Sequence, residues 1–283
     1  MDIRVLKYFL AVANEESISK AAKTLHIAQP PLSREMKKLE QEVGKQLLIR
    51  GSKRITLTEE GLLLKKRAQE IIDLLQKTEN ELSCDEGDVA GDVYIGCGET
   101  DSIFYFAQAA NNLKKRYPGI RYHIYSGDAE QVTEKLDKGL IDFGLLIGYR
   151  DLKKYNSLRL PVVDTWGVLM HKDSPLAEKD RITPEDLYDC PLILPYQTIQ
   201  SDIFEHWFGS SEFKNHIMAT ANLIYNGSLF VKAGFGYALT LNKLTNTGAE
   251  SELCFRPLYP ELTTELDIVW KRHQVFSHSA RIY

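Results

Sequence analysis

The chain has 283 residues, 43% of them hydrophobic and 26% charged, with a formal net charge of −4. That length holds two or three domains with real cores, and the composition is that of a soluble globular protein. No apolar run approaches the length of a bilayer crossing, and the N-terminus lacks a small-residue cleavage site, so the protein is expected to stay in the cytoplasm, away from membranes.

The charge is unevenly spread. Residues 1–67 carry fourteen Lys and Arg against eight Asp and Glu, a balance of +6, which leaves −10 on the remainder. The basic end suits a polyanion that the acidic remainder repels. A first helix is predicted over Ile3–Asn14, burying Ile3, Leu6, Phe9, Leu10 and Ala13 at helical spacing. Between Ser17 and Val43 the pattern reads as two short helices joined by a tight turn. Ser17 is a candidate N-cap, Ala21, Ala22 and Leu25 share one face, and the pattern breaks at His26-Ile27-Ala28. Pro30 and Pro31 then supply a φ suited to a first helical turn. Leu32, Met36, Leu39 and Val43 point inward along the second helix, leaving Gln29, Ser33, Arg34, Lys37 and Lys38 outward. A polar, basic helix start of this kind suits a DNA major groove, where Arg pairs with guanine and Gln with adenine. A solvated amphipathic helix explains the same spacing equally well. Residues 46–58 tip the balance, reading as two short strands around Gly51-Ser52 with Arg50, Lys53 and Arg54 at the tip, a wing for backbone or minor groove.

From Ala13 to Gly61 the chain resembles the winged helix-turn-helix of LysR-type transcriptional regulators. The family often has Ser or Thr where this chain has Ala28, and the doubled proline is expected to compensate. On this reading Gln29, Pro30, Pro31, Ser33 and Arg34 read the major groove, while Lys38, Arg50, Lys53 and Arg54 hold phosphates or the adjacent minor groove.

A capping-box pattern at Thr56-Leu57-Thr58-Glu59 opens a long helix predicted to run from about Glu59 to Leu82. Along it Leu64, Ala68, Ile71, Leu75, Thr78 and Leu82 follow alternating steps of four and three, a heptad seam. No other helix of that length is evident in the N-terminal third, so the seam is assigned to a partner chain. In the resembling family this linker helix forms a homodimer, and two dimers commonly make a tetramer. RNA polymerase is a further candidate partner.

Residues 83–92 are polar and glycine-containing and read as a hinge. Strands and helices then alternate: strand Val93–Cys97, helix Phe104–Arg116, strand Ile120–Tyr125, helix Asp128–Lys138 and strand Ile141–Ile147. A second unit begins near Val162. It holds strands at Gly167–Met170, Leu192–Leu194, Ile217–Ala221 and Tyr237–Leu241, with helices at Thr183, Gln200–Phe208 and Leu223–Ala233. The last strand, Leu266–Lys271, returns to the first unit. The fold class is therefore α/β: a winged helix-turn-helix over 1–58, a linker helix and hinge over 59–90, and a two-lobed domain over 91–283. Lobe I takes about 91–161 and 266–283, lobe II about 162–265. The resemblance implies an effector-binding domain similar to a periplasmic binding protein.

Ligands in such sheets lie outside the carboxyl ends of strands, beside helix N-termini. Thr100, Ser102, Ser126, Gly127 and Gly148 occupy those places in the first unit, and Gln197, Thr198, Asn222 and Tyr225 in the second, flanked by Phe104, Tyr149 and Tyr196. Ser102 and Asn222, like Asp128, are each explained slightly better by helix capping than by a ligand. As a set, the strand-end residues favour a small polar or anionic effector, whose binding between the lobes is expected to shift the spacing of DNA half-sites contacted by a dimer. Cys84, Cys97, Cys190 and Cys254 are scattered, without a CxxC pair, and are expected to stay reduced. The histidines lack metal-ligand spacing, and no nucleophile, base and orienter fall together, so neither a metal, a cofactor nor an enzymatic activity is expected. A shortened C-terminal helix is expected after Phe276, leaving that edge of lobe I loose.

Overall fold

The computed structural model describes residues 1–51, 54–82, 90–149, 151–199 and 201–283, which form two compact units, Met1–Ser83 and Cys84–Tyr283. In the first unit, Asp2 accepts from the Val5 N–H at 2.9 Å to start α1 (Ile3–Glu15), and Ser17 accepts from Lys20 at 3.3 Å to start α2 (Ile18–Thr24). Each satisfies a donor that a first helical turn leaves without a partner. The Ile27 N–H closes the turn onto the Ala22 carbonyl at 2.9 Å, with His26 in the left-handed region at φ 56°. Helix α3 (Gln29–Val43) has no side-chain cap at Ala28; Pro30 and Pro31 occupy its first turn and Gly44 stops it at φ 70°. Phe9, Val12, Ala21, Leu32 and Met36 are fully buried in one core shared by the three helices. Two residues expected inside are not: Ile3 is half-buried and Val43 exposed, because each sits at a helix end past the edge of that core.

Strands β1 (Leu48–Arg50) and β2 (Ile55–Leu57) pair antiparallel, Leu48 opposite Leu57 and Arg50 opposite Ile55. Glu40 of α3 sets their angle, since its Oε1 accepts from the Leu47 and Leu48 N–H groups at 2.8 and 3.0 Å. Helix α4 (Glu59–Leu82) follows. The capping box read at Thr56 is not used, because Thr56 pairs with Ile49 in the hairpin. Thr58 caps instead: its Oγ1 accepts from the Gly61 N–H at 3.0 Å and donates to the Gln46 carbonyl at 2.8 Å.

The heptad seam along α4 also needs correction. Ala68 is fully buried against Leu6 and Leu10 of α1, with Leu64 packed beside it. The helix that covers this part of the seam thus belongs to the same chain. Leu75 is half-buried. Ile71 and Leu82 of the expected seam stay uncovered, and Leu62, Leu63 and Leu74, outside it, are exposed as well.

In the second unit β3 (Ala90–Cys97), β4 (Gly119–Ser126) and β5 (Phe143–Ile147) run parallel, connected through α5 (Phe104–Lys114) and α6 (Ala129–Asp137). Strand β6 (Tyr155–His171) is long. Beyond it β7 (Leu192–Pro195), β8 (Ile217–Ala221) and β9 (Tyr237–Leu241) are parallel again, connected through α7 (Ile203–Phe208) and α8 (Ile224–Lys232). Then come β10 (Leu253–Pro257), β11 (Thr263–Lys271) and the short α9 (His278–Ile282). The order is β4-β3-β5-β11-β6-β9-β7-β8, with β10 added to β6. Antiparallel β6 and β11 pass through both halves of the sheet and are the two crossings between lobes.

Several expected elements differ in extent. Gly167–Met170 is only the end of β6, whose earlier half carries Arg159; that charge is tolerated in a strand because it donates to Asp267 on β11 at 2.7 Å. The helix expected at Thr183 is a single 3-10 turn, Pro184–Leu187, and the one at Gln200 begins only at Ile203. Of the expected hinge, residues 83–89 lie outside the described residues, and Ala90–Asp92 belong to β3. Burial alone would raise the Asp92 carboxyl, but hydrogen bonds from His123 and Arg121, at 2.8 to 3.1 Å, outweigh it and hold it below its usual range. The C-terminal edge is packed, not loose: the Tyr283 ring meets Phe106, Tyr122 and Phe143, and its hydroxyl donates to the Phe106 carbonyl at 2.8 Å. No helix among the described residues is long and apolar enough to cross a membrane.

Candidate functional site

Two places carry the functional residues, one in each unit. On the first unit the buried face of α3 is anchored by Leu32, Met36 and Leu39, which turns Gln29, Pro30, Pro31, Arg34 and Lys38 to solvent and leaves Ser33 half-buried. Gln29 is held in place, since its Oε1 accepts from the Ser19 hydroxyl of α2 at 3.0 Å. Arg50 at the end of β1 is exposed. Arg54 is exposed too but lies 3.5 Å from Glu16, an ion pair open to water that a phosphate can displace at little cost. Lys53 lies outside the described residues.

In the second unit a cavity of about 420 Å³ lies outside the carboxyl ends of β3, β5, β7 and β8. Of the nine residues expected there, Gly148, Gln197, Thr198 and Asn222 line it. The other five do not. Thr100 and Ser102 are buried and turned onto Asp164, their hydroxyls donating to its two oxygens at 2.5 and 3.1 Å. Ser126 is exposed, Gly127 is packed against Gln131 and Tyr125, and Tyr225 is on the outer face of α8. Of the flanking aromatics, Tyr149 lines the cavity, while Phe104 and Tyr196 face solvent. Gly148 has φ 60°, and a Cβ there would stand 2.6 Å from the Thr264 hydroxyl, so the loop needs glycine on both counts.

The cavity wall is built largely of residues that sequence reasoning missed. Trp166 of β6 and Thr264 of β11 come from the crossing strands, and Thr240 from β9. Gly98 and Glu99 follow β3 and are missed positions that the strand-end rule reaches. One Glu99 oxygen accepts from the Ile224 N–H at the start of α8, joining lobe I to lobe II, and Asp101 and Lys243 form a second bridge at 3.3 Å. Asp202 is a second acidic lining residue. No Lys, Arg or His stands among the described residues of the lining.

The three described cysteines, Cys97, Cys190 and Cys254, are free thiols whose surroundings favour the protonated form. Burial pushes the Cys97 thiol up, and the negative charge of Glu99 pushes it further. Burial also raises Cys190 and Cys254. Thiols held in the protonated form are poor nucleophiles toward oxidants. Cys84 lies outside the described residues. Among the described residues, no group of three His, Cys, Asp or Glu side chains is placed to hold a metal ion.

Comparison with known proteins agrees with this division. A family described as "Bacterial regulatory helix-turn-helix protein, lysR family" matches residues 3–62, and one described as "LysR substrate binding domain" matches residues 86–281. The HTH-type transcriptional regulator BsdA of Bacillus subtilis is 39% identical over 147 residues, a match that spans about half the length of each chain, 50% of this one and 49% of BsdA. AlsR of the same organism is 32% identical over 197 residues, 68% of this chain and 64% of AlsR. Among solved structures, the LysR family regulator CbnR superposes with a TM-score of 0.78 at 18% identity, covering 100% of this chain and 96% of CbnR. CbnR complexed with its target DNA gives 0.76 at 19% identity over 100% and 97% of the two chains. The two matches fall one in each unit, the second over more than half of the chain, and the chain belongs to the LysR family of bacterial DNA-binding transcriptional regulators.

Proposed function

We propose that this regulator reads operator DNA through the start of α3 and is controlled by a small molecule held between the two lobes of its second unit. The observation that carries the reading is the exposed, basic start of α3 on a fully buried three-helix core, a rigid support for side chains that must meet base edges. Gln29, Pro30, Pro31, Ser33 and Arg34 face the bases; Lys38, Arg50, Lys53 and Arg54 hold phosphates. CbnR, which has this fold, has been solved with its target DNA. The division is 1–58 for DNA, 59–90 for the linker helix and 91–283 for the effector. Effector binding shifts the equilibrium between lobe arrangements, and with it the spacing of half-sites that a dimer contacts. A chain that holds the chromosome in this way works in the bacterial cytoplasm.

The test is capture of fragmented source DNA on the purified protein, followed by operator-variant binding. Arg34→Ala is expected to relax preference at one base position by about 1–3 kcal/mol, whereas Lys38→Ala weakens all sequences alike and lowers the salt slope by about one. Equal preference among operator variants after loss of Arg34 would refute direct readout by that residue.

Self-association is assigned to the uncovered stripe of α4. Ile71 and Leu74 are 40% and 42% exposed, one helical step apart, with Leu63 and Leu82 on the same side. Ile71→Glu with Leu74→Glu leaves the intrachain contact at Ala68 alone. Sedimentation is expected to show the double variant as smaller assemblies with undiminished helix content. An unchanged assembly size places the dimer contact elsewhere.

A further inference from the structure

We propose that residues 99–102 form a clamp that holds the two lobes of the second unit in one arrangement, and that breaking the clamp resets operator binding. The second half rests on the reading that lobe arrangement sets the half-site spacing; the clamp itself does not.

The residues of the segment alternate between two tasks. Thr100 and Ser102 are buried, and their hydroxyls donate to the two oxygens of Asp164 at 2.5 and 3.1 Å. Thr100 Oγ1 also accepts the Ser102 N–H at 2.9 Å. Asp164 belongs to the crossing strand β6 and stands opposite Thr264 of β11, so the segment is fastened to the junction of the lobes. Glu99 and Asp101 reach lobe II instead. Glu99 accepts from the Ile224 N–H at the start of α8, and Asp101 pairs with Lys243, just beyond β9, at 3.3 Å.

The junction is built to bend. The pairing of β11 with β6 shifts register between Glu265 and Asp267, next to Thr264, and an irregularity of this kind bends a strand pair locally. A hinge takes its angle from contacts made across the cleft, and the clamp supplies two of them. They differ in weight. Asp101 and Lys243 are each more than half exposed, so their pairing contributes little against water. The Glu99 contact is part-buried and carries more of the hold. Glu99 and Ile224 also line the cavity, so the contact that fixes the hinge is one that any molecule in the cleft meets. A molecule that favours one state of that contact shifts the lobe equilibrium.

The experiment uses the full chain without added ligand and reads hydrogen exchange at the Ile224 amide. In the first turn of α8 this N–H has no intrahelical partner, so its protection reports the bridge to Glu99. Glu99→Ala is expected to speed its exchange roughly tenfold with β3, β5 and β9 unchanged, whereas Glu99→Gln, whose amide oxygen still accepts, stays within about twofold of native. Asp164→Ala, which leaves Glu99 in place but unfastens the segment, is expected to speed the same amide several-fold. Unchanged exchange in Glu99→Ala overturns the clamp and leaves the reading of half-site spacing standing. If Glu99→Ala loosens the whole second unit, Lys243→Gln decides, since that side chain is exposed. Exchange at Ile224 about twofold faster in Lys243→Gln upholds the clamp, and no change overturns it. A footprint on captured operator DNA then tests the second half. Glu99→Ala is expected to alter the spacing of protected half-sites and Glu99→Gln to keep it. Freed lobes with a native footprint overturn the control of operator binding by the clamp.

Discussion

Gly61→Ala is expected to remove about 3 kcal/mol or more from the first unit and to abolish operator binding. A Cβ at Gly61 would stand 2.2 Å from the Leu47 carbonyl oxygen and 3.2 Å from the Leu57 Cβ. The oxygen cannot simply withdraw, because it accepts the Thr58 N–H at 3.1 Å, and the Leu47 N–H is in turn tied to Glu40. Relief must come from separating the start of α4 from the hairpin, which breaks the Thr58 cap and shifts the wing. Hydrogen exchange resolved by segment is the measurement of choice: faster exchange is expected in α1 through α4, with β3 to β11 unchanged. Native protection throughout the first unit would show that the close approach relaxes at no cost.

The second large effect belongs to Phe9. It is 0% exposed, at the centre of the core that joins α1 to α2 and α3. Phe9→Ala leaves a cavity that a three-helix unit of this size closes poorly, at an expected cost of about 3–5 kcal/mol. That is a large part of the stability of a small domain. Denaturant unfolding is expected to show a weakened first unit, and DNA affinity is expected to fall for all sequences, because α3 loses the surface on which it is oriented. Arg34→Ala acts differently, leaving stability intact and changing preference. If Phe9→Ala kept full affinity, α3 would hold its orientation without α1.

The N-terminal unit was legible in residue order because its signals are local. Ser17 caps the helix it was expected to cap, and Leu32, Met36 and Leu39 lie where a period of 3.6 puts them. The alternation of strands and helices in the second unit was legible for the same reason, since β3, β4 and β5 are short apolar runs set off by turns. Two of the failures share one cause, partners far away in sequence. Ala68 and Leu64 carry a sound heptad pattern, but periodicity reports only that a face is buried, not against what; α1 covers it. Thr100 and Ser102 stand at the expected strand end, yet Asp164, more than sixty residues on, turns them from the cleft.

The sequence by itself determined the helix-turn-helix, the basic face it presents and the βαβ order, because caps, prolines and apolar spacing act within a few residues of the groups they govern. The tertiary structure decided which residues wall the cavity. Trp166 and Thr264 come from strands that cross between lobes, and Glu99 meets a helix that begins 125 residues later. Such meetings depend on sheet register and on how two lobes close, quantities that no local pattern encodes. For that reason the cleft was predictable in place but not in most of the residues that wall it.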